Sequence, residues 1–130
     1  MKKLAIAFVL FSLLAVFVAA CSGSSSSNNS GGSGNDVHMD AANFTQPSIT
    51  IKKGSSINLI DDVAVVHIIE NGSWDSNNVA RPATEAGAPK VNSLQFNGND
   101  NQQVGPFNTA GTFHLYCTVH PGMNLTVIVQ

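Results

Sequence analysis

The residues best equipped for chemistry lie in Tyr116-Cys117-Thr118-Val119-His120-Pro121-Gly122-Met123, which holds a thiol, an imidazole and a thioether at the spacing Cys-x2-His-x2-Met. These are soft and borderline metal donors, and as a set they suit copper better than any hard cation. A strand-like run from Thr112 to Cys117 enters the octet and another from Asn124 to Val129 leaves it, with Pro121 and Gly122 at the bend. The octet therefore reads as a turn at one end of a β-sheet. A blue-copper centre takes two imidazoles, one thiolate and a long axial thioether, so a second histidine must come from elsewhere.

Four histidines are available: His38, His67, His114 and His120. His67 interrupts the apolar run Val63-Ala64-Val65-Val66-His67-Ile68-Ile69, where an imidazole without a partner is costly to bury. Taken alone it reads as readily as a core histidine bonded to a backbone carbonyl; beside the Cys-His-Met turn it reads as the missing ligand. His114 shares the parity of Tyr116 and opposes that of Cys117, so it is expected to point away from the metal. His38, next to Met39, is read as an ordinary residue near the first strand, and Trp74 as core or rim packing near the His67 strand.

From about Asp36 to the end the chain resembles the cupredoxins, the small blue-copper family that includes plastocyanin, amicyanin, pseudoazurin and azurin. The matching residues are His67, the incoming strand Gly111-Thr112-Phe113-His114-Leu115-Tyr116-Cys117, and the loop residues Cys117, His120 and Met123. The short loop is most similar to those of amicyanin and pseudoazurin. The resemblance implies one type 1 copper, with Cys117 as thiolate, His67 and His120 as imidazole donors and Met123 as the weak axial group. It also implies that His120 is the electron port, at the surface within an apolar patch. Tyr116 resembles an aromatic that serves some plastocyanins as a second docking point, an outward strand tyrosine being the competing reading. Two positions depart from the family pattern: Ile68 stands where many members have an Asn that ties the ligand loops together, and Val119 where Pro is common. The ligand set is intact, and both departures fall among the groups behind it, which tune the redox potential.

The elements that must hold these residues are short strands. Ser48-Ile49-Thr50-Ile51 and Ser56-Ile57-Asn58-Leu59 alternate, with Lys53-Gly54-Ser55 turning between them. The run around His67 reads as a strand covered on both faces and ended by Asn71-Gly72. Gln102 to Phe107 is a weaker strand broken by Gly105-Pro106, and in the final strand Leu125, Val127 and Val129 share a face. Between Ser76 and Asn99, Pro82, Gly87, Pro89 and Gly98 forbid a long element; a short strand near Val91 to Phe96 and a helical turn around Ala83 to Ala86 are expected. No segment makes a convincing amphipathic helix. The expected fold of residues 36–130 is an all-β, antiparallel Greek-key β-sandwich of 7–8 strands.

The chain before Asp36 concerns location. Met1-Lys2-Lys3 is followed by seventeen residues, Leu4 to Ala20, of which only Ser12 is polar, as in a secretory signal or a very short span. Val18-Ala19-Ala20-Cys21 resembles a bacterial lipoprotein cleavage box, so residues 1–20 read as a signal peptide and Cys21 as the lipidated residue; an uncleaved membrane anchor is the alternative. Ser22 to Asn35 is Ser, Gly and Asn alone, a flexible tether with a reach of roughly 20 Å. The chain is thus expected outside the cytoplasmic membrane, anchored to its outer face. Of the two cysteines one is at the lipid site and one in the loop, and an unpaired thiol in an oxidising compartment is explained by copper. Without Lys2 and Lys3, four basic residues face eight acidic ones, a net charge of −4 with histidines neutral. That balance excludes a basic nucleic-acid surface.

The expected function is a one-electron carrier, not an enzyme, meeting membrane-bound redox proteins. Copper delivery or sensing with the same ligands is the alternative. An oxidase or reductase would need a further His cluster that the sequence does not offer, and a zinc domain would leave Met123 without a purpose.

Overall fold

A computed structural model of the chain describes residues 34–130. The expected signal peptide, Cys21 and all but the last two residues of the tether lie outside the described residues. Nine strands follow in order: β1 Asp36–Met39, β2 Ser48–Ile51, β3 Ile57–Asp61, β4 His67–Trp74, β5 Ala80–Pro82, β6 Leu94–Phe96, β7 Asn101–Val104, β8 Gly111–Cys117 and β9 Asn124–Val129. β3 and β9 bury alternate residues, as Leu125, Val127 and Val129 do in β9, because successive side chains of a pleated strand point to opposite faces.

Two sheets form the expected all-β sandwich. One has the order β1-β3-β7; the other runs β2-β9-β8-β4-β5, with β6 also paired to β4. The core lies between them and includes Met39, Ile57, Leu59, Ile69, Phe96, Phe107, Leu115, Leu125 and Val127, all nearly or wholly inaccessible. Each such side chain contributes about 1.5–3 kcal/mol by leaving water. The cross-strand pairs Phe113↔Val127 and Leu115↔Leu125 zip β8 to β9, so the two strands flanking the Cys-His-Met turn form a tight antiparallel hairpin.

Several expectations are corrected. Not every pairing is antiparallel: β1 runs parallel to β3 and β2 parallel to β9. Alternation reports which face is buried, not which way the neighbour runs. The strands number nine rather than seven or eight, because the 76–99 stretch supplies both β5 and β6. The His67 strand begins at His67 itself, while Val63 to Val66 form a bend closed by a Val65 amide bond to the Val63 carbonyl, with Val66 44 % exposed. That run is therefore not covered on both faces.

Asn71-Gly72 does not end the strand either; β4 continues to Trp74. A Cβ at Gly72 would run into the Tyr116 ring, so glycine is there to let that ring lie across β4. Residues 83–86 make no helical turn, only a turn at Ala86-Gly87 closed by the Ala88 amide on the Glu85 carbonyl.

The 76–99 stretch is tied down by side chains. Asn71 exchanges two bonds with Val91, its Oδ1 accepting from the Val91 amide at 2.6 Å and its own amide donating to the Val91 carbonyl at 3.0 Å. The Glu85 carboxylate accepts from the His114 amide at 2.7 Å and meets its Nδ1 at 2.5 Å.

Candidate metal centre

The register brings His67 and Cys117 together. Ile69 pairs with Cys117, so His67, two residues earlier on the same inner face, stands two residues beyond the end of β8 and diagonal to the thiol. Such diagonal neighbours are within reach of long side chains. His67 is wholly inaccessible, Cys117 is 4 % exposed and Met123 1 % exposed. Burial makes the charged imidazolium costly, and this holds the His67 pKa below the ordinary value of about 6.5, although the Asp61 carboxylate acts the other way.

The loop is fixed by three backbone bonds. The Met123 amide donates to the His120 carbonyl at 3.2 Å, with Gly122 at φ +80° between them. This is a type II turn with Pro121 and Gly122 in the positions that favour them. The Cys117 amide donates to the Met123 carbonyl at 2.9 Å, and the Thr118 amide to the Ile68 carbonyl at 2.9 Å. The last bond joins the two ligand segments through backbone. Ile68 thus keeps them together without the asparagine that many cupredoxins place there.

Within this frame three donor atoms converge. Cys117 Sγ is 3.9 Å from Nδ1 of His67 and 3.6 Å from Nδ1 of His120. The two imidazole rings are 4.8 Å apart between centroids and tilted by 55°. All three donors lie within 4.8 Å of one another, and no other such His/Cys/Asp/Glu group occurs among the described residues.

Bonds of about 2.0–2.3 Å, the lengths that imidazole nitrogen and thiolate make to a borderline divalent ion, set at about 120° put nitrogen and sulfur about 3.7 Å apart. The observed 3.6 and 3.9 Å bracket that separation. The donors are thus spread as around an ion and are too far apart to satisfy one another strongly.

A sequence model of the copper binding proteins, plastocyanin/azurin family, matches residues 32–130. The chain belongs to this family. Among solved structures, amicyanin from Paracoccus versutus matches with 20 % identity over 73 % of this chain and 79 % of its own, at a TM-score of 0.54. A purple cupredoxin from Nitrosopumilus maritimus matches with 20 % identity over 73 % of this chain and 98 % of its own, at 0.53. These likenesses are of fold. No curated protein sequence matches the chain. As a cupredoxin, its cofactor is one type 1 copper, which the His67, Cys117, His120 and Met123 donor set fits.

The other singled-out residues fall as follows. His114 points away from the site, against Glu85 and edge-on to Trp74 with ring centroids 4.5 Å apart, as its parity requires. Trp74, at the far end of β4, is thereby rim packing. His38 lies at the surface, its Nδ1 2.8 Å from an Asp62 oxygen.

Tyr116 is on the outer face, yet only 7 % exposed, because β4 at Gly72 receives its ring. Burial, and then the charge of Glu70 whose Oε2 is 3.5 Å from the hydroxyl, push its pKa up. A tyrosine so covered offers little surface for docking. One buried residue at the site, Asp61, is absent from the sequence reading. Its signal was present, since it continues the Ile57, Leu59 parity of β3.

Proposed function

We propose that the chain is a one-electron carrier working through a mononuclear type 1 copper at the tip of its sandwich, held outside the membrane by a lipidated Cys21. The carrying observation is the convergence of Cys117 Sγ with Nδ1 of His67 and of His120. Copper held by this donor set would supply a one-electron couple, since thiolate, imidazole and thioether donors suit both of its oxidation states.

The chain's own residues do the rest. Cys117 as thiolate, His67 and His120 through Nδ1, and Met123 through its thioether would hold the copper. His67 and Cys117 are fixed by strands of a packed sheet and His120 by a closed turn, so electron arrival demands little rearrangement. His120 is half-buried, in line with a ring whose outer edge serves as the electron port. Val66 and Val119, the residues before the two imidazoles, are each 44 % exposed, and they support an apolar contact surface at that tip. The partners are redox proteins, and the tether places them at the membrane.

Members of this family are typically carriers rather than enzymes, which supports the same reading here. The test is the visible spectrum of the copper-loaded chain. An intense thiolate-to-Cu(II) band supports the carrier; a colourless oxidised form with readily exchanged Cu(I) assigns the site to copper delivery instead.

A further inference from the structure

Behind the His67 ring, on the side away from Cys117, lies a carboxylate that the ligand set does not use. Asp61 ends β3 in the sheet facing β4. Among the described residues Asp61, 2 % exposed, and His67 are the two fully buried polar side chains, and they are neighbours: Asp61 Oδ1 is 3.8 Å from His67 Nε2. Oδ1 otherwise accepts one long bond, 3.3 Å, from the Val63 amide. Neither Asp61 Oδ2 nor His67 Nε2 has a hydrogen-bond partner of full geometry, the Asp40 backbone being the competing acceptor close to the His67 ring. A buried carboxylate without a countercharge opposes folding, and an apolar residue of similar size would serve the core better. Its presence therefore points to the metal site.

We propose that Asp61 is a positioning residue for the copper site: its carboxylate takes the Nε2–H of His67, leaving the Nδ1 lone pair toward Cys117, and its negative charge favours the oxidised state. The inference rests on the reading of His67 as a ligand. A neutral imidazole carries one N–H, and the group that accepts it selects the tautomer. Histidine ligands to metals almost always donate their second nitrogen in this way.

The present separation exceeds a hydrogen bond by about 1 Å, and its closure is part of what is proposed. Two negative groups, the Cys117 thiolate and the Asp61 carboxylate, balance a dication and outweigh a monocation. Reduction thus leaves uncompensated charge in a dry place.

The first test needs neither copper nor a variant. Long-range 1H–15N NMR of the metal-free chain should find the His67 proton on Nε2; a proton on Nδ1 overturns the proposal. Secondly, Asp61→Asn keeps an acceptor of the same shape without the charge, whereas Asp61→Leu removes both.

The Asn variant should keep the blue band with a raised midpoint potential. The expected rise is about tenfold in the ratio of reduced to oxidised protein at fixed potential, or about 59 mV for one electron. The Leu variant should also lose about 10–100-fold in copper affinity. An Asn variant that keeps its colour with an unchanged or lower potential overturns the proposal; if neither variant folds, a crystal structure of the copper-loaded chain decides, where His67 Nε2 bonded to the Asp40 carbonyl instead of to Asp61 overturns it. A wild-type chain that binds copper without the blue band counts against the carrier reading, not against the Asp61–His67 hydrogen bond.

Discussion

At the scale of single residues, the donors differ in what holds them, and so in how they respond to change. Met123 is buried and fixed by its own backbone, which donates to the His120 carbonyl and accepts from the Cys117 amide. Its thioether can therefore be removed without opening the loop. Met123→Leu should retain the blue colour and most of the stability, within about 1.5 kcal/mol for a volume-conserving swap. Its midpoint potential in voltammetry should rise, because a weak donor to the oxidised state has gone. Loss of all copper binding would contradict an axial role.

His67 responds to pH instead. Its folded pKa is depressed by burial, so below the ordinary value of about 6.5 the unfolded chain binds a proton that the folded one resists. The contribution of the neutral ring is whole above that value and is lost as pH falls toward the lower folded pKa. The metal-free domain should accordingly show a falling unfolding midpoint from about pH 6.5 downward in urea titrations. His67→Gln should flatten that part of the curve.

At the scale of elements, the hairpin β8-β9 and the strand β4 are the frame, and their contact depends on one missing side chain. Gly72 admits the Tyr116 ring across β4, and the Arg81 carbonyl stands 2.8 Å from where a Cβ would be. Gly72→Ala should cost about 1–3 kcal/mol by overpacking, read as a lower urea midpoint. The blue band of the copper-loaded variant should survive, since the donors attach at the opposite end of β4. Loss of colour at full folding would show that the Tyr116 contact also sets the position of Cys117.

The 76–99 stretch illustrates a different kind of element. Its few apolar residues leave no periodicity to read, and it is ordered by polar ties to Asn71 and to His114. Those ties join residues 20 and 29 positions apart, so no local pattern announces them.

At the scale of the whole molecule, the site occupies one tip of a sandwich, with exposed apolar residues beside it and a net acidic chain behind it. On the function proposed above, the carrier docks by this tip and the tether keeps it near its partners. Cys21→Ser should release the protein from the membrane fraction into the soluble one while leaving the spectrum of the copper-loaded chain unchanged, as checked by fractionation and absorbance. Retention of the variant in the membrane would favour an uncleaved apolar anchor over a lipid.

The ligand types, the loop spacing, the alternation of β2, β3, β8 and β9 and the unpaired loop cysteine were legible along the chain, because each is a local pattern of chemistry or period. What the tertiary structure decided was pairing. It set Ile69 against Cys117 and so brought His67 to the thiol, ran β1 and β2 parallel to their partners, carried β4 past Gly72, and put Asp61 behind His67 from the opposite sheet. Period tells which face a side chain takes; only the packing of two sheets determines what it meets there.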